Sequence, residues 1–293
     1  MVKRICPLLI LLLMTPAPAF AWGTQAHRII MSRAIDMLPS EMKPFFEHFR
    51  DELVLRTIDA DLYRTLGWDE DPNHFVNFGA VEYGPYPFTA LPREYGAAIE
   101  KFGMTTLKRL GLLPWREAEE FGNLRRAMET FKRPAGFAIT DTVLFAAVGA
   151  HYLQDATQPL HASNNYDGAL TKQNGVHARF ETALIARYAS KLNLTPAPPR
   201  VVPNMRDFAF EELLKSHQDV DALLAADREA IAGKDAYDDE YFDKFFAKLK
   251  PMIEERLSAG ITATASLFLS AWDAAGRPAL KTELPPAALQ RVR

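Results

Sequence analysis

The chain has 293 residues, 48% of them hydrophobic, and a formal net charge of −3 at neutral pH. That is apolar material for one sizeable core or two small ones. Charge so nearly balanced supplies no basic face, which argues against a DNA binder that neutralises phosphates with Lys and Arg.

Residues 1–21 read as a secretory leader. Lys3 and Arg4 form a charged n-region, the run from Leu8 to Met14 is apolar, and Ala19-Phe20-Ala21 fits the small-x-small cleavage rule, with the cut before Trp22. The apolar run is too short to span a bilayer. Cys6 is not placed like a lipid-modified cysteine, so a secreted or periplasmic product without stable membrane insertion is expected. Cleavage also removes the only cysteine. Stability is then expected to come from packing and bound metal, since no disulfide can form.

Ile29, Ile30, Ala34, Ile35 and Leu38 fall on one stripe and predict a helix over 26–38, ended by Pro39-Ser40-Glu41. Further helices are predicted over 93–111, 115–133, 140–158 (stopped by Pro159), 174–193, 206–232 and 235–275. Segments 79–92 (GAVEYGPYPFTALP) and 195–204 (TPAPPRVVPN) are Pro-rich loops, and no run alternates with period two. The expected architecture is all-α: a single multi-helix bundle over 22–278 with Pro-rich connecting loops, followed by a loose tail at 279–293.

HYLQDATQPLH, residues 151–161, carries the first chemical signal. On a helix over 140–158, Leu144, Ala147, His151 and Asp155 follow one another along one face. A buried carboxylate must be paired or bound to metal. An isolated His-x-x-x-Asp is most simply a hydrogen-bonded pair. However, three of the seven histidines fall within 151–177, and NGVHARFE repeats the one-turn spacing with His177 and Glu181. Two helices each offering a His and a carboxylate, with His161 between them, form a common ligand set for zinc. After cleavage the chain would begin WGTQAHR. Its α-amine, with a pKa of about 8, would be a nitrogen donor five residues before His27; the plainer reading is that Trp22 fills an apolar gap.

HYLQDATQPLHASNNYDG followed by NGVHARFE resembles the zinc-dependent phospholipase C family and its relatives, the single-strand-specific nucleases. The resemblance extends to Trp22, His27, a DADLYR…HF segment at 59–75 and the closing LSAGITATASLFLSAWDAAG. It implies an all-α fold with three Zn²⁺. Asp61, His74, His151 and Asp155 would hold one ion, and His161, His177 and Glu181 a second. The Trp22 amine and carbonyl, His27 and Asp155 would hold a third, making Asp155 a bridge. Asp59 competes with Asp61, which is preferred because Asp61-Leu-Tyr-Arg64 matches the nuclease-type Asp-x-x-Arg. His48 and His217 sit in charged segments and need no special role.

Clustered divalent ions suit phosphodiester cleavage, because they acidify water and oppose the charge that develops at phosphorus. They would also let an acidic chain bind phosphate. Asp61 would orient the attacking water or take its proton, and Arg64 would clamp a phosphoryl oxygen. Phe75 would stack on a base or line a headgroup pocket, Asn164 would hydrogen-bond the substrate or a ligand, and Tyr83, Tyr86 and Phe88 offer an aromatic wall. Glu181 and the HASNNYDG spacing lean towards a phospholipase C-like substrate. The short gap from Trp22 to His27 and Asp61-x-x-Arg64 lean towards single-stranded nucleic acid. A periplasmic zinc-binding protein without turnover is the reading of another class. No protein partner is expected.

Overall fold

The computed structural model describes residues 22–133 and 135–284. The expected leader, 1–21, and the last part of the tail, 285–293, lie outside the described residues. Among the described residues every regular element is helical and there is no strand. No helix among them is long and apolar enough to cross a membrane.

In chain order, α1 (Thr24–Asp36), α2 (Lys43–His48), α3 (Arg50–Arg56) and α4 (Asp59–Thr65) come first. A long loop leads to α5 (Tyr95–Phe102), α6 (Met104–Leu110), α7 (Leu113–Glu129) and α8 (Ala138–Asp155). Then α9 (Val176–Ala178) passes through a π-helical turn at Arg179–Leu184 into α10 (Ile185–Tyr188). The last elements are α11 (Met205–Gln218), α12 (Val220–Ile231) and α13 (Asp239–Ala274).

The predicted helices are present, with local differences. The 93–111 segment divides at Gly103, whose φ of 74° suits glycine. The 206–232 segment divides at Asp219. The 140–158 helix stops at Asp155, because the residue before a proline is driven out of the α region; Gln158 is extended, at φ −94° and ψ 119°.

α8 is the centre of the bundle. It packs against α7 and α13, and α1, α3 and α4 also touch it. Its run Ala146, Ala147, Gly149, Ala150 keeps neighbouring backbones close: a Cβ on Gly149 would lie 3.3 Å from the Glu120 Cβ and 3.5 Å from Leu267 Cδ2. Trp22, Phe45, Phe46, Phe180, Phe245 and Phe268 are enclosed in the core. Each such burial is worth roughly 2 kcal/mol relative to exposure.

The Pro-rich segment 195–204 has few amide donors, and the 36-residue α13 serves them. The backbone amides of Thr195, Arg200 and Val202 donate to the hydroxyls of Ser258, Ser266 and Ser270 at 3.0, 3.1 and 2.8 Å. The Thr262 hydroxyl donates to the Ala197 carbonyl at 3.0 Å. These four hydroxyls recur every fourth residue, so they form one stripe on α13, and the strap lies along it. Beyond α13 the Trp272 indole donates to the Pro278 carbonyl at 2.9 Å, and Leu280 and Leu284 pack on the core. The start of the segment expected to be loose is therefore seated.

Glu117 on α7 is fully enclosed, and neither carboxyl oxygen has a hydrogen-bond partner. Burial, reinforced by the neighbouring Glu120 carboxylate, pushes its pKa well above the ordinary 4.5. The folded-state value is the raised one, so the cost is absent at acidic pH. It grows by roughly 1 kcal/mol per pH unit above the ordinary value until the folded group ionises. Glu117→Gln is therefore expected to raise the melting temperature at pH 8, with the gain shrinking towards zero as melts are repeated down to pH 4.5.

Candidate metal centre

Eight side chains from separate elements meet at the buried end of α8. His27 comes from the core-facing stripe of α1, with Ile30 and Ala34. Asp61 sits in the first turn of α4, and His74 ends a 3₁₀ turn at Asp71–His74. His151 and Asp155 lie one turn apart near the end of α8. His161 follows on a 3₁₀ turn at Pro159–Ala162 that Gln158 caps. His177 and Glu181 flank the start of the π-helical turn. All eight are at most 5% exposed.

They form three groups: His27, His151 and Asp155; Asp61, His74 and His151; and His161, His177 and Glu181. Within each group the donor atoms all lie within 4.8 Å of one another. Asp155 Oδ1 is 3.4 Å from His27 Nε2. Asp155 Oδ2 is 3.0 Å from His74 Nδ1 and 3.3 Å from His151 Nε2. Asp61 Oδ1 is 3.9 Å from both His74 Nδ1 and His151 Nε2. In the third group His177 Nε2 is 2.9 Å from Glu181 Oε2 and 3.2 Å from His161 Nε2, which is 3.8 Å from Glu181 Oε2. Ligand atoms of a tetrahedral zinc with bonds near 2 Å stand about 3.3 Å apart, so the spacings fit an ion.

Two further observations fit the same group of ligands. His27 Nε2, Asp155 Oδ1, Glu181 Oε1 and both Asp61 oxygens are buried without a hydrogen-bond partner. Such orphans are costly in a native interior unless something else satisfies them. Four of the five histidines also have their other ring nitrogen hydrogen-bonded. His27 Nδ1 donates to Gln154 Oε1 at 2.6 Å, and His151 Nδ1 to the Thr57 carbonyl at 2.8 Å. His161 Nδ1 donates to the His74 carbonyl at 2.6 Å, and His177 Nδ1 to the Tyr166 carbonyl at 3.0 Å. His74 is the exception: its Nε2 is buried without a hydrogen-bond partner, 4.0 Å from the Glu70 carboxylate that accepts the Tyr152 hydroxyl. Fixing the outer nitrogen fixes the tautomer and turns the inner lone pair towards an ion.

The charges point the same way. Burial drives His74 down to about 3, leaving it neutral. Burial opposes a proton on His151 too, but Asp155 and Asp61 outweigh it and lift that imidazole to about 9. Burial also opposes charge on Asp155, yet His151 and His161 hold its carboxyl well below the ordinary range. Asp61 is raised by burial. The carboxylates thus draw protons onto the cluster, and a divalent ion would displace them.

Most expected site residues converge. Asp61 joins the cluster, whereas Asp59 turns to Arg56 at 2.9 Å. Asp155 faces two groups, one oxygen to each. The Trp22 indole is enclosed against Phe180 and donates to Thr157 Oγ1 at 3.3 Å. The next residue, Gly23, packs so closely on the π-helical turn that a Cβ there would sit 3.1 Å from the Glu181 carbonyl oxygen. The start of α1 thus lies beside the third group.

A cleft of ≈ 320 Å³ reaches His74, His161 and His177, with Arg64, Arg109, Phe75 and Tyr166 also lining it. Arg64 pairs with Asp71 at 2.9 Å and Asp61 at 3.6 Å. A larger groove of ≈ 740 Å³ beside the strap contains none of the donors. Asn164 is not brought to the cleft; its amide donates to the Gly79 carbonyl at 3.1 Å. Tyr83 and Phe88 are core residues, because the loop folds inward and Phe88 stacks on Phe78 at 4.6 Å. Of that expected wall only Tyr86 is exposed, and it stacks over His217. His217 does have a role: its Nδ1 donates to the Ala162 carbonyl at 2.7 Å, next to His161. Tyr166, Glu70, Gln154 and Gln158 were not singled out from the sequence. The two glutamines were detectable in principle, at one-turn spacing inside HYLQDATQPLH.

No protein family matches the chain, and no curated protein matches it. The site is therefore read from its own geometry: three buried groups of His, Asp and Glu donors compatible with metal binding. Adding Zn²⁺ to chelator-stripped protein is expected to raise the melting temperature in a concentration-dependent way. Asp155→Asn is expected to lower metal content, measured by mass spectrometry, by more than one ion per chain; an unchanged content would rule out the bridge.

Proposed function

We propose that the chain is an exported phosphodiester hydrolase that holds three Zn²⁺ in this centre. The observation that carries the reading is the cleft, which brings two guanidinium groups to the same opening as three of the buried donor histidines. Asp61, His74, His151 and Asp155 would hold one ion, His161, His177 and Glu181 a second, and His27, Asp155 and the Trp22 amine and carbonyl a third. The ions would supply Lewis acidity, lowering the pKa of water and opposing the negative charge of the transition state.

The chain's own residues supply the rest. Arg64 presents a planar fork to a phosphoryl oxygen, and its pairing with Asp71 holds that fork at the cleft. Asp61, whose oxygens have no hydrogen-bond donor, accepts a proton from the attacking water at Oδ2. Phe75 and Tyr166 border the cleft and exclude water from its apolar side. Export through a leader at 1–21, with cleavage before Trp22, frees the amine that the third site needs.

The sequence resemblance leans towards a phospholipase C-like substrate. Single-stranded nucleic acid is the second reading, and the cleft favours it in one respect: Arg64, Arg109 and Tyr166 suit a polyanion with stackable bases. The test is hydrolysis of bis(p-nitrophenyl) phosphate, p-nitrophenylphosphorylcholine and denatured DNA side by side, with and without chelator. Turnover of at least one, abolished by chelator, is expected. Zinc uptake without any turnover would leave a metal-binding protein. Arg64→Ala is expected to lower kcat by about 100-fold with metal content unchanged.

A further inference from the structure

Gln158 stands outside the sets of ligands yet lies among the donors of the third group. It is fully enclosed and sits between the end of α8 and the turn that carries His161. Its Oε1 accepts the Leu160 amide N–H, which caps that turn. Its Nε2 lies 2.9 Å from Glu181 Oε2 and 3.1 Å from His177 Nε2. The cap fixes which end of the amide is oxygen, because flipping it would set an N–H against an N–H. The amino end must therefore face the carboxylate and the imidazole.

We infer that Gln158 is a positioning residue for the ion held by His161, His177 and Glu181. One side chain ties the turn that delivers His161 to the carboxylate of Glu181, which arrives from a different element. A carboxylate oxygen has two lone-pair positions. Glu181 Oε2 can give one to an ion while the other accepts from the Gln158 amide. The His177 contact is surrendered when that ring's lone pair turns to metal, and the bond to Glu181 remains. Gln154, one turn earlier, holds His27 in a comparable way and donates to Thr264 at 3.2 Å. Both glutamines thus reach from the end of α8 to a ligand that another element supplies.

This inference rests on the metal reading, and the experiment separates the two. Full-length protein is stripped with chelator, and Zn²⁺ alone is titrated back, with uptake followed by calorimetry and metal mass spectrometry. The variants are Gln158→Glu, which keeps an acceptor for the Leu160 N–H but loses the donor, Gln158→Leu, which loses both, and His161→Ala, which marks the ion concerned. Both Gln158 variants are expected to bind one ion about 10–100-fold more weakly and the others unchanged. Combining either with His161→Ala should cause no further loss. Parent-like binding of the other ions in both variants excludes a general folding defect. Parent-like or tighter binding of that ion in Gln158→Leu, which introduces no metal-donor atom, would overturn the role. A parent chain that takes up no zinc would instead overturn the metal reading itself.

Discussion

The arrangement depends on a single enclosed carboxylate. Asp155 is completely shielded from water, with one oxygen facing His27 and the other facing His74 and His151. An isolated charge in such a place is prohibitive, so the fold must deliver positive partners to it. That demand explains why α1, the turn at Asp71–His74 and the turn at Pro159–Ala162 each bring a histidine to the end of α8. The small side chains of α8 let α7 and α13 pack close against it.

How much of this was legible in the sequence follows from what kind of signal each part leaves. His151 with Asp155, and His177 with Glu181, are one-turn pairs, and helical geometry alone puts each pair together. The helices were readable from their apolar stripes, and the strap from its prolines. The π-helical turn left no such trace, because a widened turn has no periodicity of its own in so short a stretch. The partners of the outer ring nitrogens were equally hidden. Thr57, His74 and Tyr166 act through main-chain carbonyls, which carry no mark of residue type. Tyr83 and Phe88 were misplaced for a related reason: a Pro-rich loop reads as surface, and nothing local reveals that it folds inward over Phe78.

Rigid support surrounds the cluster on its protein side. Arg179 in the π-helical turn pairs with Asp227 at 3.0 Å and donates to the carbonyls of Gln173 and Asn174 at 3.2 and 2.8 Å. That buried network fixes the loop leading into His177. On the other flank, the His161 carbonyl accepts the Val76 amide at 2.9 Å, and the His161 ring reaches back to the His74 carbonyl. The two turns that carry His74 and His161 therefore hold one another. Ligands set in this way need little rearrangement when an ion arrives, which favours tight binding.

Because three of the five rings are steered by peptide oxygens, the orientation of those rings is written into the path of the chain. Exchanging the side chain of Thr57 or Tyr166 leaves its carbonyl where it was. Point substitutions at those two anchors thus leave the steering of the His151 and His177 rings in place so long as the backbone holds. Insertions and deletions act differently. One residue added between Thr57 and Asp61, or between Tyr166 and His177, displaces an anchor and a ligand in a single step.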